Sequence, residues 1–262
     1  MKAVLERLVD LGGAAAPLAA IFLVAPALVG AQDADARSRQ TLESERSRVF
    51  EFKVGPYQPR IDSEFKVPAG ATAGAYQFPY EGSFGDQSPL MYMGQYDFHV
   101  YNQFGLLSAG LGVGYWQVSG TNGSLDPNSE ATEETGIQMI PIQAGLTYRL
   151  DQLRERIPLV PTFRLGLDYY LWRVTRGDGE VARFSNGNKA QGSTMGWHGS
   201  IGVHFLLDFL APTMAADFDR DAGVNNSYII LDYQYSQVDD FGSADSIRLG
   251  DSTFFIGLGL DL

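Results

Sequence analysis

Alternation of apolar and polar residues with a period of two is the sequence feature that most constrains the fold of this chain. It begins near Val49 and continues to Leu262. In the segment Phe163–Leu171, for example, the odd positions are apolar, whereas the even positions carry Arg, Gly, Asp and Tyr. Only a β-strand places two such sets on opposite sides, because successive side chains of a strand point to opposite faces. The pattern therefore predicts an all-β protein.

Eight segments show this alternation, which predicts an eight-stranded antiparallel transmembrane β-barrel. The segments are 50–57, 91–101, 104–118, 136–149, 163–171, 197–209, 226–237 and 252–262. Long polar stretches follow the odd-numbered strands, at 58–90, 119–135, 175–193 and 238–251. The other returns are shorter or locally helical, with short helices predicted at 151–156 and 212–220. Long loops on one side and compact turns on the other are typical of bacterial outer-membrane barrels, in which the compact turns face the periplasm.

The contents of the two strand faces predict which face points outward. Alternation alone also fits a soluble lipocalin-like barrel, whose apolar face points inward. Here the polar face mixes charged residues with glycines, at Gly110, Gly112, Gly114, Gly145, Gly166, Gly202, Gly257 and Gly259. Glycine weakens a solvated strand, but it makes room for long side chains inside a narrow barrel. The opposite face is apolar and carries no charge, so we expect it to contact lipid.

The charged residues of the polar face are predicted to form an ion-pair network that fills the lumen. They are Glu51, Lys53, Asp97, His99, Arg149, Arg164, Asp168, His204, Asp208, Asp232 and Asp261. Charges in a closed lumen have to be paired with one another. The histidines lack the close spacing of a metal centre, so neither a metal nor a cofactor is expected. Eight strands leave room for side chains or one small ligand, not for a water channel.

Aromatic residues near the strand ends predict two interfacial girdles. The girdle at the loop end would contain Tyr92, Tyr115, Tyr169, Trp197 and Phe254. The girdle at the turn end would contain Phe50, Tyr101, Tyr148, Phe163, Phe209 and Tyr228. Trp116 and Trp172 fall on the polar face, so we expect them to fill the lumen instead.

The residues before the barrel have a different composition. Basic residues precede an almost uncharged segment at 11–28, and small residues at 29–31 fit a signal-peptidase site. Residues 1–31 are therefore predicted to be a cleaved signal peptide, with a retained transmembrane anchor as the alternative. Residues 32–48 have mixed charge and little apolar content, which predicts a linker or a short exposed helix. The barrel would then occupy residues 49–262.

The overall composition excludes several classes of function. The chain has 31 Asp and Glu residues against 19 Lys and Arg residues, which gives a net charge of −12. An acidic protein of this kind is not expected to bind nucleic acid, because it cannot neutralise phosphates. The sequence contains no cysteine, which excludes thiol catalysis, disulfides and thiolate metal sites.

Six segments along the predicted barrel also carry a resemblance to a known family. They lie within Gly55–Asp62, Phe104–Tyr115, Ile140–Asp151, Ile157–Trp172, Leu207–Pro212 and Gly223–Tyr228. They resemble an uncharacterised outer-membrane β-barrel family typical of myxobacteria and, more distantly, the architecture of the OmpA membrane domain and of OmpW. The resemblance implies a barrel in the outer membrane and brings no activity. Such barrels usually end in an aromatic residue that the barrel assembly machinery recognises, whereas this chain ends in Leu262.

These features predict a non-catalytic, porin-like outer-membrane protein with a filled lumen and a structural or surface-interaction role. A narrow channel for small or hydrophobic solutes is an alternative. A lipid-modifying enzyme is another, because His198 and Ser200 resemble the histidine and serine nucleophile of outer-membrane lipid A deacylases. No acid follows them at a matching spacing, and both fall on the face turned away from lipid. The expected partners are outer-membrane lipids, lipopolysaccharide and the barrel assembly machinery, and the expected state is a monomer.

Overall fold

The described residues form an antiparallel barrel of eight strands, closed by pairing of the first strand with the last. In this computed structural model they are residues 47–64, 79–121, 134–155, 157–183, 187–208, 210, 218, 220–244 and 246–262. The strands are β1 (Arg48–Pro56), β2 (Leu90–Tyr101), β3 (Leu106–Thr121), β4 (Glu134–Arg149), β5 (Leu159–Arg176), β6 (Gln191–Leu206), β7 (Asn226–Val238) and β8 (Ser252–Asp261). This confirms the predicted fold class. The predicted signal peptide and nearly all of the predicted linker lie outside the described residues.

The fifth and sixth strands differ most from their predicted bounds. β5 and β6 both extend further toward the loop end than the alternation indicated, and β6 ends earlier at the turn end. The predicted loop 175–193, which is rich in glycine, asparagine and serine, included residues 191–193, which belong to β6. In the structure Gly192 pairs with Trp172, and a Cβ atom on Gly192 would come within 2.8 Å of the indole ring. The glycine is needed beside a tryptophan that points into the lumen, so it does not end the strand.

Short helices lie in the connections between strands. The predicted helix at 151–156 is present as a 3-10 helix, Asp151–Glu155, whereas the one at 212–220 lies mostly outside the described residues. The β1–β2 loop contains a 3-10 helix, Ile61–Glu64, and an α-helix, α1 (Pro79–Phe84), neither of which was predicted. The Asp62 carboxylate caps α1 by accepting hydrogen bonds from the backbone N–H groups of Tyr80 and Glu81, at 2.7 and 2.9 Å. Within the described residues, no helix has the length and apolar character needed to cross a membrane.

The strand faces have the predicted orientation. Apolar side chains cover the outer wall, and Leu165 at the middle of β5 is 65% exposed. Charged side chains point into the lumen, where Glu51 and Asp97 are 0% exposed. A wall that is apolar on the outside and encloses charges is the arrangement that a lipid bilayer requires. The first and last residues of the barrel segment lie side by side. The backbone N–H of Ser47 donates to the carbonyl of Leu262 at 2.9 Å.

The described aromatic residues follow the prediction with one exception, whereas Phe209, which was predicted for the turn-end girdle, lies outside the described residues. Trp116 and Trp172 point into the lumen and are buried, as expected. Tyr228, however, was assigned to the outer girdle and is 2% exposed inside the lumen, so that prediction was wrong. Its neighbour Ile229 faces outward, and in a strand the adjacent residue has to point the other way.

Candidate functional site

The lumen contains a layer of eight ionisable side chains near the turn end of the barrel, which we call the ionic layer. Its members are Glu51, Lys53, Asp97, Arg149, Arg164, His204, Asp232 and Asp261, and all of them are buried. Glu51 lies at its centre. One carboxylate oxygen accepts a hydrogen bond from Arg149 Nη2 at 2.7 Å, and the other accepts one from Arg164 Nη2 at 2.8 Å. Lys53 Nζ is 3.5 Å from the same carboxylate.

The remaining members surround this centre and pair across different strands. Lys53 Nζ donates to Asp232 at 3.0 Å, and Arg149 Nη1 donates to Asp261 at 3.0 Å. The second oxygen of Asp261 accepts a hydrogen bond from the Tyr228 hydroxyl at 3.0 Å. These bonds connect β1, β4, β7 and β8, so they cross-link the barrel through its interior.

Besides its pair with Glu51, Arg164 contacts Thr147 and, at 3.4 Å, the carboxylate of Asp97. Its Nε donates to Thr147 Oγ1 at 2.9 Å, and the Thr147 hydroxyl donates to Asp97 Oδ2 at 3.1 Å. Asp97 Oδ1 accepts a further hydrogen bond from Gln95 Nε2 at 2.8 Å. The layer therefore contains polar residues that the charge pattern did not indicate, since a threonine or glutamine on the lumen face carries no signal of its own.

The charges of the ionic layer nearly balance. Four carboxylates face Lys53, Arg149 and Arg164, and His204 Nε2 lies 3.6 Å from Asp232 Oδ1. Buried charges have to be compensated at close range, because moving an unpaired ion out of water costs several kcal/mol. Lys53, Arg149 and Arg164 each lie within 3.0 Å of at least one carboxylate, and the side chains of the layer occupy the turn-end half of the lumen.

Three residues predicted for this network lie elsewhere. Asp168 lies two inward positions beyond Arg164 on β5, nearer the loop end, and pairs with His198, with His198 Nδ1 and Asp168 Oδ1 2.6 Å apart. His99 Nδ1 is 2.8 Å from the Ser108 hydroxyl. Asp208 lies in the β6–β7 connection, where it accepts a hydrogen bond from the backbone N–H of Ser227 at 3.2 Å. The sequence pattern assigned all three to the correct face or its edge but did not give their height along the barrel.

The Asp168–His198 pair bears on the enzyme alternative. A lipid-modifying enzyme of this kind needs an acid that orients the histidine, and the residues that follow Ser200 contain none at a matching spacing. The neighbouring strand β5 supplies such an acid, Asp168. Both members of the pair are 1% exposed, and they are enclosed between strands. A lipid ester cannot reach His198 in this arrangement. Within the part of the chain that the structure describes, no group of three His, Cys, Asp or Glu residues is arranged to hold a metal ion.

Aromatic and apolar side chains fill the loop-end half of the lumen, and we call them the aromatic plug. Its described members include Tyr57, Trp116, Tyr170, Trp172, Leu249 and Phe255. Tyr57 enters from the β1–β2 loop, and its hydroxyl donates to the Leu249 carbonyl of the β7–β8 loop at 2.7 Å. Trp116 Nε1 donates to the Tyr57 carbonyl at 3.0 Å. Burial raises the pKa of the Tyr57 hydroxyl, which keeps it neutral as a donor.

The two loops that supply the plug are also fixed to each other at the barrel mouth. The carboxylate of Asp251 accepts hydrogen bonds from the backbone N–H groups of Gln58 and Ser252, at 2.9 and 2.6 Å. Partial burial raises the pKa of the Asp251 carboxyl, against the opposing effect of these hydrogen bonds. The guanidinium of Arg60 lies 5.0 Å from the ring centroid of Tyr235. The plug is therefore built from ordered loop segments as well as strand residues.

Gly110 provides the space in which Asp97 reaches the ionic layer, and this gives a testable prediction. A Cβ atom at Gly110 would overlap the Asp97 carboxylate and lie 2.6 Å from the Tyr96 carbonyl oxygen. We expect Gly110→Ala to lower the free energy of unfolding by about 1–3 kcal/mol, because the backbone has to shift. Urea unfolding of the refolded protein in lipid vesicles measures the change.

Gly112, two residues along the same strand face, is the matched control. A Cβ atom there would meet its nearest neighbour, the Gly94 carbonyl oxygen, at 3.4 Å, which is ordinary contact. Gly112→Ala is expected to leave stability unchanged or to raise it by about 0.5–1 kcal/mol, because alanine restricts the unfolded chain. Equal stability of the two variants would contradict the packing explanation.

Comparison with known proteins finds similarity at the level of the fold. No protein-family model and no curated protein matches the chain, so the resemblance to the myxobacterial family stays a prediction. Among solved structures, OprG of Pseudomonas aeruginosa is 13% identical, with a TM-score of 0.43 over 84% of this chain and 97% of that chain. The attachment invasion locus protein Ail of Yersinia pestis is 13% identical, with a TM-score of 0.41 over 84% of this chain and 99% of that chain. Neisserial surface protein A is 11% identical, with a TM-score of 0.42 over 82% of this chain and 97% of that chain. At these identities the similarity concerns the fold alone.

Proposed function

We propose that this chain is a non-catalytic protein of the bacterial outer membrane with a structural or surface-interaction role. The observation that carries this proposal is the closed lumen. The ionic layer fills its turn-end half, and the aromatic plug fills its loop-end half. A barrel filled in this way offers neither a water path nor a cleft for a substrate, so its accessible surfaces are its outer wall and its loops.

The outer wall supports the location. The described outward residues of β5 from Leu159 to Leu171 are apolar apart from the hydroxyl of Tyr169, and exposed charges appear only beyond Leu171, at Arg173 and Arg176. A tilted strand of 9–11 residues crosses the hydrocarbon core of a bilayer, and β5 exceeds that length. Closed barrels that cross a membrane in bacteria are found in the outer membrane. The predicted signal peptide would direct export to that location.

Two alternative functions are a narrow channel and a lipid-modifying enzyme. The arrangement of the described residues supports neither of them. A channel requires a continuous path, but Trp116, Tyr57 and Glu51 are each almost completely buried in the lumen. A lipid-modifying enzyme requires access of lipid to His198, which is enclosed beside Asp168. The interaction role is therefore assigned to the long loops, including the ordered helix α1, and to the lipid-facing wall.

Conductance in planar bilayers tests the filled lumen. The wild-type barrel is expected to show no steady ion current, because both halves of the lumen are occupied by side chains. Electrophoresis with and without heating provides the folding control, since a closed membrane barrel remains compact in unheated detergent and shifts in mobility when heated. A steady single-channel current from protein that shows this heat shift would refute the filled lumen and favour the channel.

A further inference from the structure

A row of polar side chains crosses the outer wall near the loop end of four neighbouring strands. It consists of Gln117 on β3, Gln138 on β4, Arg173 on β5 and Gln191 on β6, which we call the glutamine–arginine row. Each member is the direct cross-strand partner of the next. All four belong to the outward face, and Gln117, Arg173 and Gln191 are exposed.

Hydrogen bonds fix the geometry of this row. Arg173 Nε donates to Gln138 Oε1 at 2.6 Å, and Gln138 Nε2 donates to Gln117 Oε1 at 3.2 Å. The Tyr115 hydroxyl, one outward position nearer the membrane centre, also donates to Gln117 Oε1 at 2.5 Å. Because Arg173 Nε is bonded to Gln138, the edge of the guanidinium formed by its two Nη groups remains available to another acceptor. An arginine oriented in this way can donate two parallel hydrogen bonds to one anion.

The row lies at the boundary of the apolar wall. The outward residues directly below it on β4 and β5 are Ile140 and Leu171, and Val113 lies lower on β3. A position just outside the hydrocarbon region coincides with the headgroup level of the leaflet on the loop side. There, polar groups on the wall meet lipid phosphates rather than acyl chains.

The charge of the row identifies the kind of group that would bind. Its only ionisable member is Arg173, and among the described residues no carboxylate forms an ion pair with it. Both direct cross-strand partners of this exposed arginine are glutamines, so the row combines one positive charge with several neutral donors, on a protein with a net charge of −12. Phosphate is the anion whose geometry matches this donor set, since it accepts the paired guanidinium bonds and further amide bonds.

We propose that the glutamine–arginine row binds the phosphate of an anionic lipid headgroup in the leaflet on the loop side. This inference rests on the proposed location in the outer membrane. It adds that one segment of the outer wall prefers anionic lipid to neutral lipid. Arg173 provides the charge-assisted contact, and Gln138 positions it. In an outer membrane, the lipid of that leaflet with exposed phosphates is lipopolysaccharide.

Native mass spectrometry of the full folded protein tests the proposal with defined lipids. Phosphatidylglycerol serves as the anionic probe, and phosphatidylcholine, whose phosphate is neutralised by its own choline, serves as the neutral one. We expect the wild-type barrel to retain phosphatidylglycerol preferentially and Arg173→Gln to weaken that retention about tenfold. Arg173→Lys should give an intermediate value, because it keeps the charge and loses the paired donors.

The matched control is Arg48→Gln, which removes an exposed arginine from the same outward face at the turn end of β1. It is expected to retain phosphatidylglycerol as the wild type does. Equal retention of the two lipids, or unchanged retention by Arg173→Gln, overturns the phosphate site. A dimer that disappears with Arg173→Gln would also overturn it, since the row would then be a contact between copies of this chain.

Heat-shift electrophoresis on the same samples separates this inference from the proposed function. A barrel that is folded and embedded in vesicles but shows no preference for phosphatidylglycerol refutes the phosphate site and leaves the membrane location intact. A chain that never inserts into vesicles refutes both.

Discussion

Replacing Glu51 by glutamine is expected to destabilise the barrel by about 3–5 kcal/mol, because it removes the carboxylate that three buried cations share and leaves them only their partners at the edge of the layer. Glu51 contacts Arg149, Arg164 and Lys53 within 3.5 Å, and its side chain has no access to water. Glutamine has nearly the same shape, so the change isolates the charge from the packing. The free energy of unfolding is measured by urea titration of the protein refolded in lipid vesicles, followed by tryptophan fluorescence.

Glu134→Gln is the control for this substitution, because Glu134 is exposed at the loop end of β4. The same chemical change is expected there to alter stability by no more than about 0.5 kcal/mol. A double-mutant cycle with Arg164→Gln then tests the pairing itself. The double variant should be less destabilised than the sum of the two single variants, since it removes one charge of each sign. Additive effects would mean that Glu51 and Arg164 do not interact as the 2.8 Å contact indicates.

The sequence was sufficient to predict the fold because one physical rule governs every strand. In a lipid-embedded barrel each outward position within the hydrocarbon core has to be apolar, and the lumen takes the charges, so the period of two recurs in all eight strands. Side-chain direction followed directly for residues such as Glu51 and Arg164. The same rule applied consistently would have placed Tyr228 inside the lumen, because its neighbour Ile229 belongs to the apolar, lipid-facing set of β7.

The parts that the sequence did not reveal depend on strand register and on loops. The height of a side chain along the barrel follows from how strands are offset, and no residue pattern encodes that offset. Asp168 therefore could not be separated from the ionic layer, nor matched with His198. The aromatic plug was missed in part for a different reason. Leu249 enters from a loop, which lacks periodicity, whereas Tyr57 is the last residue of the predicted segment 50–57 and its packing against Trp116 and Tyr170 depends on how the strands are offset.

Arginine in place of Leu165 is expected to lower the free energy of unfolding in a bilayer by about 2–4 kcal/mol. Leu165 is 65% exposed and lies midway between Leu159 and Leu171 along the apolar outward face of β5. At that height an arginine would enter the hydrocarbon core, where its charge cannot be solvated. The measurement is urea unfolding in vesicles, with the heat shift in mobility as the check that the variant closes its barrel.

Ser119→Arg is the matched control, because Ser119 is exposed on the same outward face of β3, beyond the apolar wall at the loop end. It is expected to cost no more than about 1 kcal/mol, since near the interface the guanidinium remains solvated. The difference between the two sites tests what surrounds the wall. If water bathed the outer face, as in a secreted carrier, both arginines would be tolerated equally, because surface substitutions in water rarely exceed about 0.5 kcal/mol. A cost confined to the middle of the wall can arise only where the surroundings change from polar to apolar along the barrel axis, which is the property of a bilayer.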